Sequence, residues 1–158
     1  MATKGNTQLQ QGIPQLTDAF VVIVKTEWNA EIADKLERGA KKILKQQGIK
    51  TKTFIVPGAV ELPFAIAAYS RSSNKKADAY ITFGAVIKGD TPHFDYVCKS
   101  VTEGVTALNV TLDVPVIFGV LTVNTNEQAQ ERIGGKHGHK GEEAAITAIK
   151  MIALNRSL

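Results

Sequence analysis

Gly84–Tyr96 reads GAVIKGDTPHFDY, and the change of character along this stretch decides the fold. Ahead of it, Ala79–Phe83 is an apolar run that predicts a buried strand. After it, Phe94, Val97, Cys98, Val101, Val105 and Leu108 recur at helical spacing. Gly89 lets the backbone turn or approach a ligand closely. Thr91 is a good N-cap and Pro92 a good first helical residue, so the helix is predicted to start at Thr91. Its unpaired N–H groups then face the loop and favour an anion. Lys88 adds a full positive charge. His93, in the first turn, can accept or donate a proton near neutral pH. Two readings stand on these residues alone. One is an anion pocket, with phosphate as the expected anion, beside a proton-transfer group. The other is a capped helix carrying a surface histidine.

The same strand–helix alternation extends in both directions. Ala19–Val24 (AFVVIV) is apolar on both faces, as in a strand covered on each side. Asn29 is placed to cap the next helix, whose apolar stripe is Ile32, Leu36, Ala40, Ile43 and Leu44 and which Gly48 ends. Thr51–Val56 reads as a second strand. Pro57-Gly58 signals a turn, and Pro63 suits only the first turn of a helix running to about Arg71. Val114–Leu121 reads as a fourth buried strand, with Pro115 at its beginning or on an edge. Thr125 with Gln128 forms a capping-box pattern for a short helix ending near Ile133. Gly134–Gly141 (GGKHGHKG) is a glycine-rich basic loop before a final helix carrying Ala144, Ala145, Ala148, Ile149 and Ile152.

The order is βαβαβαβα. It predicts a three-layer α/β sandwich, a four-stranded parallel sheet flanked by helices on both faces, of the flavodoxin-like kind. Ligands of such folds bind outside the carboxyl ends of the strands. That rule selects Glu27-Trp28-Asn29, Pro57–Glu61, Lys88–His93 and Thr122–Asn126. These loops also hold the unusual residues, which tips the balance toward a functional site.

Length and composition set the outer limits. The 158 residues suit one domain, expected over 18–158 behind a flexible tail, 1–17. The polar start MATKGNTQLQQG lacks the apolar segment of a signal peptide, so a cytoplasmic protein is expected. No apolar run approaches the roughly 20 residues that span a bilayer. A single cysteine, Cys98, excludes an internal disulfide; it falls on an apolar helix face, as an inert thiol would. The net charge of +4 comes from scattered lysines without interleaved aromatics, so neither nucleic acid nor membrane is an expected partner. His137 and His139, with His93, lack a third metal ligand at convincing spacing, and no metal is expected. No P-loop or GxGxxG follows a strand.

Three further residues have two readings each. Trp28, the only tryptophan, follows a strand end, where an indole either stacks on a flat heterocycle or fills a core or interface position. Glu61 either accepts hydrogen bonds from a ligand or simply complements a helix dipole. Arg132 is either a phosphate clamp or an ordinary charge at a helix end.

Five stretches, in order, resemble the lumazine synthase family: Glu27-Trp28-Asn29, VPGAVELP (56–63), GAVIKGDTPHFDYV (84–97), VPVIFGVLTVNTNEQAQER (114–132) and GGKHGHKG (134–141). The resemblance runs from about Phe20 to Ser157. It implies condensation of 5-amino-6-(ribitylamino)uracil with 3,4-dihydroxy-2-butanone 4-phosphate to 6,7-dimethyl-8-ribityllumazine. Phosphate and water are released and no cofactor is used; this is the penultimate step of riboflavin synthesis. By the resemblance, Trp28 stacks on the pyrimidine, and Ala59, Val60, Glu61, Ala85, Val86 and Ile87 hold the ring and ribityl chain. Lys88, Asp90 and Thr91 form the phosphate loop, and His93 is the proton donor or acceptor. Phe118, Arg132 and Lys140 come from a neighbouring subunit, with Arg132 on the phosphate.

Four positions depart from the family's commonest pattern. Trp28 stands for phenylalanine, Val60 for an aromatic, Lys88 for arginine and Ala85 for a hydroxyl residue. Lys88 keeps charge but loses bidentate geometry. The resemblance also implies a homopentamer and, with the loop before the last helix short, a sixty-subunit icosahedral shell. Pro14 counts against shell-type strand exchange because it removes a ladder donor. Riboflavin synthase is a further expected partner.

Overall fold

The computed structural model describes Leu9 and residues 11–158. The tail expected over 1–17 therefore lies partly outside the described residues. Within it, Ile13 and Leu16 pack on the core, Gln11 O accepts from Lys150 Nζ (3.1 Å) and Thr17 O from Arg156 Nη1 (2.9 Å).

Four strands form one parallel sheet: β1 (Phe20–Thr26), β2 (Lys50–Val56), β3 (Ala79–Ile87) and β4 (Val116–Val123), in the order β2-β1-β3-β4. Helices α1 (Ala30–Gln46), α2 (Leu62–Ser72), α3 (His93–Thr111), α4 (Asn126–Gln130) and α5 (Lys140–Ser157) connect or follow them. Alternate residues of β1, β3 and β4 feed two cores. Val21, Ile23, Ile81 and Phe83 meet Leu36, Ala40, Ala145 and Ile149, so α1 and α5 cover one face. Val22, Val24 and Tyr80 meet Leu62, Ile66, Val101 and Val105, so α2 and α3 cover the other. This is the three-layer, flavodoxin-like α/β sandwich. Because both faces are covered, β1 and β3 read as continuous apolar runs. The one fully buried threonine of β3, Thr82, donates to Ile117 O (3.1 Å) and accepts from Gly119 N–H (3.3 Å), so its burial leaves no unpaired hydroxyl.

Three local expectations change. Helix α3 begins at His93, with Pro92 in a preceding turn. Thr91 Oγ1 does accept from the His93 N–H, at 3.4 Å, so the hydroxyl acts near the helix end one residue beyond the expected place. Asn29 does not cap α1 with its side chain. It sits in the left-handed region (φ 56°), its carbonyl starts the helix, and its amide is used elsewhere. The loop GGKHGHKG contains a small antiparallel hairpin, β5 (Ile133–Gly135) with β6 (Gly138–His139). Gly134 (φ 114°) and Gly138 (φ 78°) supply the left-handed backbone it needs. Thr125 caps α4 as expected, accepting from Gln128 N–H at 3.3 Å, while Gln128 Oε1 reaches back to Asn124 N–H at 2.8 Å.

Candidate active site

The strand order puts a topological switch between β1 and β3: the chain leaves β1 for β2 on one side and returns to β3 on the other. The crevice outside their carboxyl ends is where such sheets bind ligands. A cavity of 390 Å³ lies there. Thr26, Trp28 and Asn29 form one wall, after β1. Ala59, Val60 and Glu61, in a single 3-10 turn after β2, form the second. Ala85, Val86 and Ile87 at the end of β3 form the floor, and His93 and Val97 close it from α3.

The three loops are tied together by backbone and side-chain bonds. Glu27 N–H donates to Val56 O (2.8 Å) and Trp28 N–H to Pro57 O (3.1 Å). Thr26 Oγ1 donates to Trp28 O (2.8 Å), and Asn29 Nδ2 to Ala85 O (2.8 Å). Trp28 is therefore held by its backbone while its indole stays 71% exposed. Exposure on that scale is costly for an aromatic ring in water and is what a stacking platform requires. Gly58 lets the second wall lie against the ring: a Cβ there would sit 3.0 Å from Trp28 Cε3 and 3.1 Å from Glu61 Oε2. Glu61 Oε2 accepts from Gly58 N–H at 3.0 Å, which is the helix-end reading of this carboxylate.

Lys88, Asp90 and Thr91 stand exposed in the loop between β3 and α3 that leads into His93, and they are not among the residues lining the cavity. The other expected site residues lie elsewhere in the chain. Phe118 and Lys140 line a separate 410 Å³ cavity along β4 and α5. Lys140 Nζ is paired with Glu143 Oε2 at 2.7 Å. Arg132 follows α4, and its Nη1 donates to Gln128 O at 2.6 Å. The structure thus gathers Trp28, Ala59–Glu61, Ala85–Ile87 and His93 at one place and leaves Phe118, Arg132 and Lys140 outside it.

Sequence reasoning missed the roles of Thr26, Asn29 and Val97. Asn29 in the left-handed region was detectable in kind, since asparagine tolerates that backbone, but its reach to Ala85 depends on the neighbouring strand. Cys98 is half-buried, and burial together with Asp95 pushes its thiol up, away from nucleophile chemistry. Among the described residues there is no group of three or more His, Cys, Asp or Glu side chains that could hold a metal ion. No described helix is long and apolar enough to cross a membrane.

Comparison with known proteins bears directly on this arrangement. A family profile described as 6,7-dimethyl-8-ribityllumazine synthase matches residues 18–156. The chain belongs to the lumazine synthase family. It is 56% identical over 133 residues to the 6,7-dimethyl-8-ribityllumazine synthase of Bacteroides fragilis, covering 82% of this chain and 92% of that one. Against the Porphyromonas gingivalis protein of the same name it is 48% identical over 149 residues, 92% and 91% of the two chains. Against that of Parabacteroides distasonis it is 46% identical over 143 residues, 89% and 88%. A member of the lumazine synthase family is an enzyme of riboflavin biosynthesis, in the transferase class, and the cavity at the β1/β3 switch is its candidate active site.

Proposed function

We propose that the protein condenses 5-amino-6-(D-ribitylamino)uracil with 3,4-dihydroxy-2-butanone 4-phosphate to 6,7-dimethyl-8-ribityllumazine, releasing phosphate and water. The observation that carries this is the convergence of an exposed indole, an acceptor-rich turn and a histidine on one cavity, beside a loop with Lys88 and Thr91. The pyrimidine stacks on Trp28. The main chain of Ala85–Ile87 and the 59–61 turn hold the ring and the ribityl chain. Lys88, Asp90 and Thr91 receive the phosphate with Arg132.

In this mechanism the uracil's free amine attacks the ketone to give an imine. Phosphate is eliminated, and the ribityl-bearing nitrogen closes the ring. His93 carries protons between these steps. Much of the acceleration comes from holding two substrates together in the right orientation.

Phe118 and Lys140 line a different cavity from Trp28 in the same chain, which favours a site completed by a neighbour's copies of Phe118, Arg132 and Lys140. The assembly proposed is a cytoplasmic homopentamer carried into an icosahedral shell, with riboflavin synthase as a downstream partner. The deciding experiment mixes purified protein with both substrates and follows lumazine absorbance and released phosphate together. Equal formation above the spontaneous rate supports the reading. No acceleration by folded, assembled protein refutes it and leaves the Trp28 pocket as a flavin- or lumazine-binding site.

A further inference from the structure

His139 is the last residue before α5, and its surroundings are unusual for a loop histidine. Its imidazole occupies the space over Gly39 of α1, where a Cβ would overlap the ring. Its Nδ1 accepts from the Gly141 N–H at 3.2 Å, so the ring is the N-cap of α5. The same residue pairs with Ile133 across the hairpin, and the next N–H, that of Lys140, donates to Arg132 O at 2.8 Å. His139 therefore joins the strand that follows Arg132 to the helix that begins with Lys140.

Most capping side chains accept a hydrogen bond at any pH above the carboxylate range. An imidazole does so at Nδ1 only when neutral, with its single proton on Nε2. A proton on Nδ1 turns the acceptor into a donor facing the Gly141 N–H. It also sets a positive charge against the positive end of α5.

We infer that His139 is a positioning residue: its neutral imidazole caps α5 and so keeps Arg132 and Lys140 in place for substrate, and mild acid releases them. This rests on the roles given to Arg132 and Lys140 in the proposed function. The charged groups that face the ring are Glu142 and Glu143 on α5 and Lys42 on α1; β5 brings only Ile133 and glycines. Lys42 is paired with Glu142 (3.0 Å) and Glu143 with Lys140 (2.7 Å). Burial lowers the imidazole from its ordinary 6.5 and Lys42 adds to this, against opposing pulls from Glu142 and Glu143. The unfolded or released segment thus takes up the proton first. The cap is complete at neutral pH and is lost as pH falls through the folded value, below 6.5.

The test compares wild type, His139→Asn, His139→Ala and Gly39→Ala from about pH 7.5 to about pH 5. It measures KM for the butanone phosphate, affinity for inorganic phosphate, and amide exchange at Gly141. Loss of one cap corresponds to about a fivefold weakening. Relative to His139→Asn, wild type is expected to lose about that factor in phosphate affinity across the acid range, in KM more than in kcat. His139→Asn keeps an acceptor for Gly141 N–H without titrating, so it matches wild type at neutral pH and shows in acid only the decline that the ligand's own second phosphate ionisation, at about pH 6, imposes on every variant. His139→Ala and Gly39→Ala, the latter displacing the ring without touching it chemically, are weakened by about the same factor at every pH. An acid limb as large in His139→Asn as in wild type would place the titrating group elsewhere and overturn the inference. So would a Gly141 amide that exchanges equally fast in wild type and His139→Ala, a comparison that needs no turnover. Wild type that binds phosphate but forms no lumazine at any pH would instead overturn the functional reading.

Discussion

Glu37 offers the most quantitative test of how this sheet is held to its helix. It lies on α1, 7% exposed, with its carboxylate turned onto the strands. Lys25 of β1 donates to Oε2, Lys41 reaches Oε1 at 2.5 Å, and Thr53 of β2 donates to Oε1 at 2.6 Å. Lys25 Nζ also reaches Asp34 Oδ1 at 2.6 Å. Burial alone would raise the carboxyl, but the bonds from Lys25, Lys41 and Thr53 outweigh it and hold it at about 2, against 4.5 for the free side chain. The depressed value means that the unfolded chain takes up the proton first as pH falls. The contribution to stability is full above 4.5 and is lost as pH falls toward 2. At about 1.4 kcal/mol per pH unit, it amounts to about 3 kcal/mol at neutral pH and about 1 kcal/mol at about pH 3. Glu37→Gln keeps the shape and removes the charge. Urea midpoints for the pair, taken at one protein concentration because assembly shifts stability, should differ by about 3 kcal/mol at neutral pH and by about a third of that at pH 3. A difference that is small at neutral pH, or that does not shrink in acid, would refute the claim that this buried carboxylate is governed by its three donors.

Other expectations concern the site. His93→Ala should lower kcat yet retain measurable turnover, because substrate pairing supplies much of the rate; full rate at every pH would remove His93 from proton transfer. Arg132→Ala should raise KM for the butanone phosphate by about tenfold or more with a smaller effect on the uracil, the signature of a lost charge-assisted contact; an unchanged KM would contradict the clamp. Asn29→Ala should cost about 1 kcal/mol or more, since alanine tolerates the left-handed backbone poorly and Ala85 O loses its partner. The same variant should weaken uracil binding, read by Trp28 fluorescence, as the loop carrying the indole loosens.

Much of this molecule is decided within single segments. Ala19–Val24 is apolar at every position, and Ala79–Phe83 at all but Thr82, because a parallel strand covered on both faces has no wet side, so their burial is legible without a partner. The stripe of α1, the turn at Pro57-Gly58 and the cap at Thr125 are likewise local, since each depends on spacing or backbone preference over a few residues. From these elements the carboxyl-end loops could be named, and the structure brings residues from three of them to one cavity.

Tertiary structure decided what those loops become. Only the order β2-β1-β3-β4 makes β1 and β3 neighbours, and that adjacency lets Asn29 reach Ala85 and sets Trp28 over the end of β3. The strand length also exceeded the apolar run: β3 continues through Gly84–Ile87 because β4 pairs with it to Val123, a bond pattern no local signal reports. The hairpin in GGKHGHKG was invisible because two residues cannot show a period, and glycines leave the backbone free until α1 packs against it. His139 makes the same point chemically. Its sequence neighbours suggest a solvated basic loop, and only the approach of Gly39 and the start of α5 turn its imidazole into a cap. Sequence periodicity specifies which residues face a partner, whereas hydrogen-bond geometry between distant segments specifies which partner they meet.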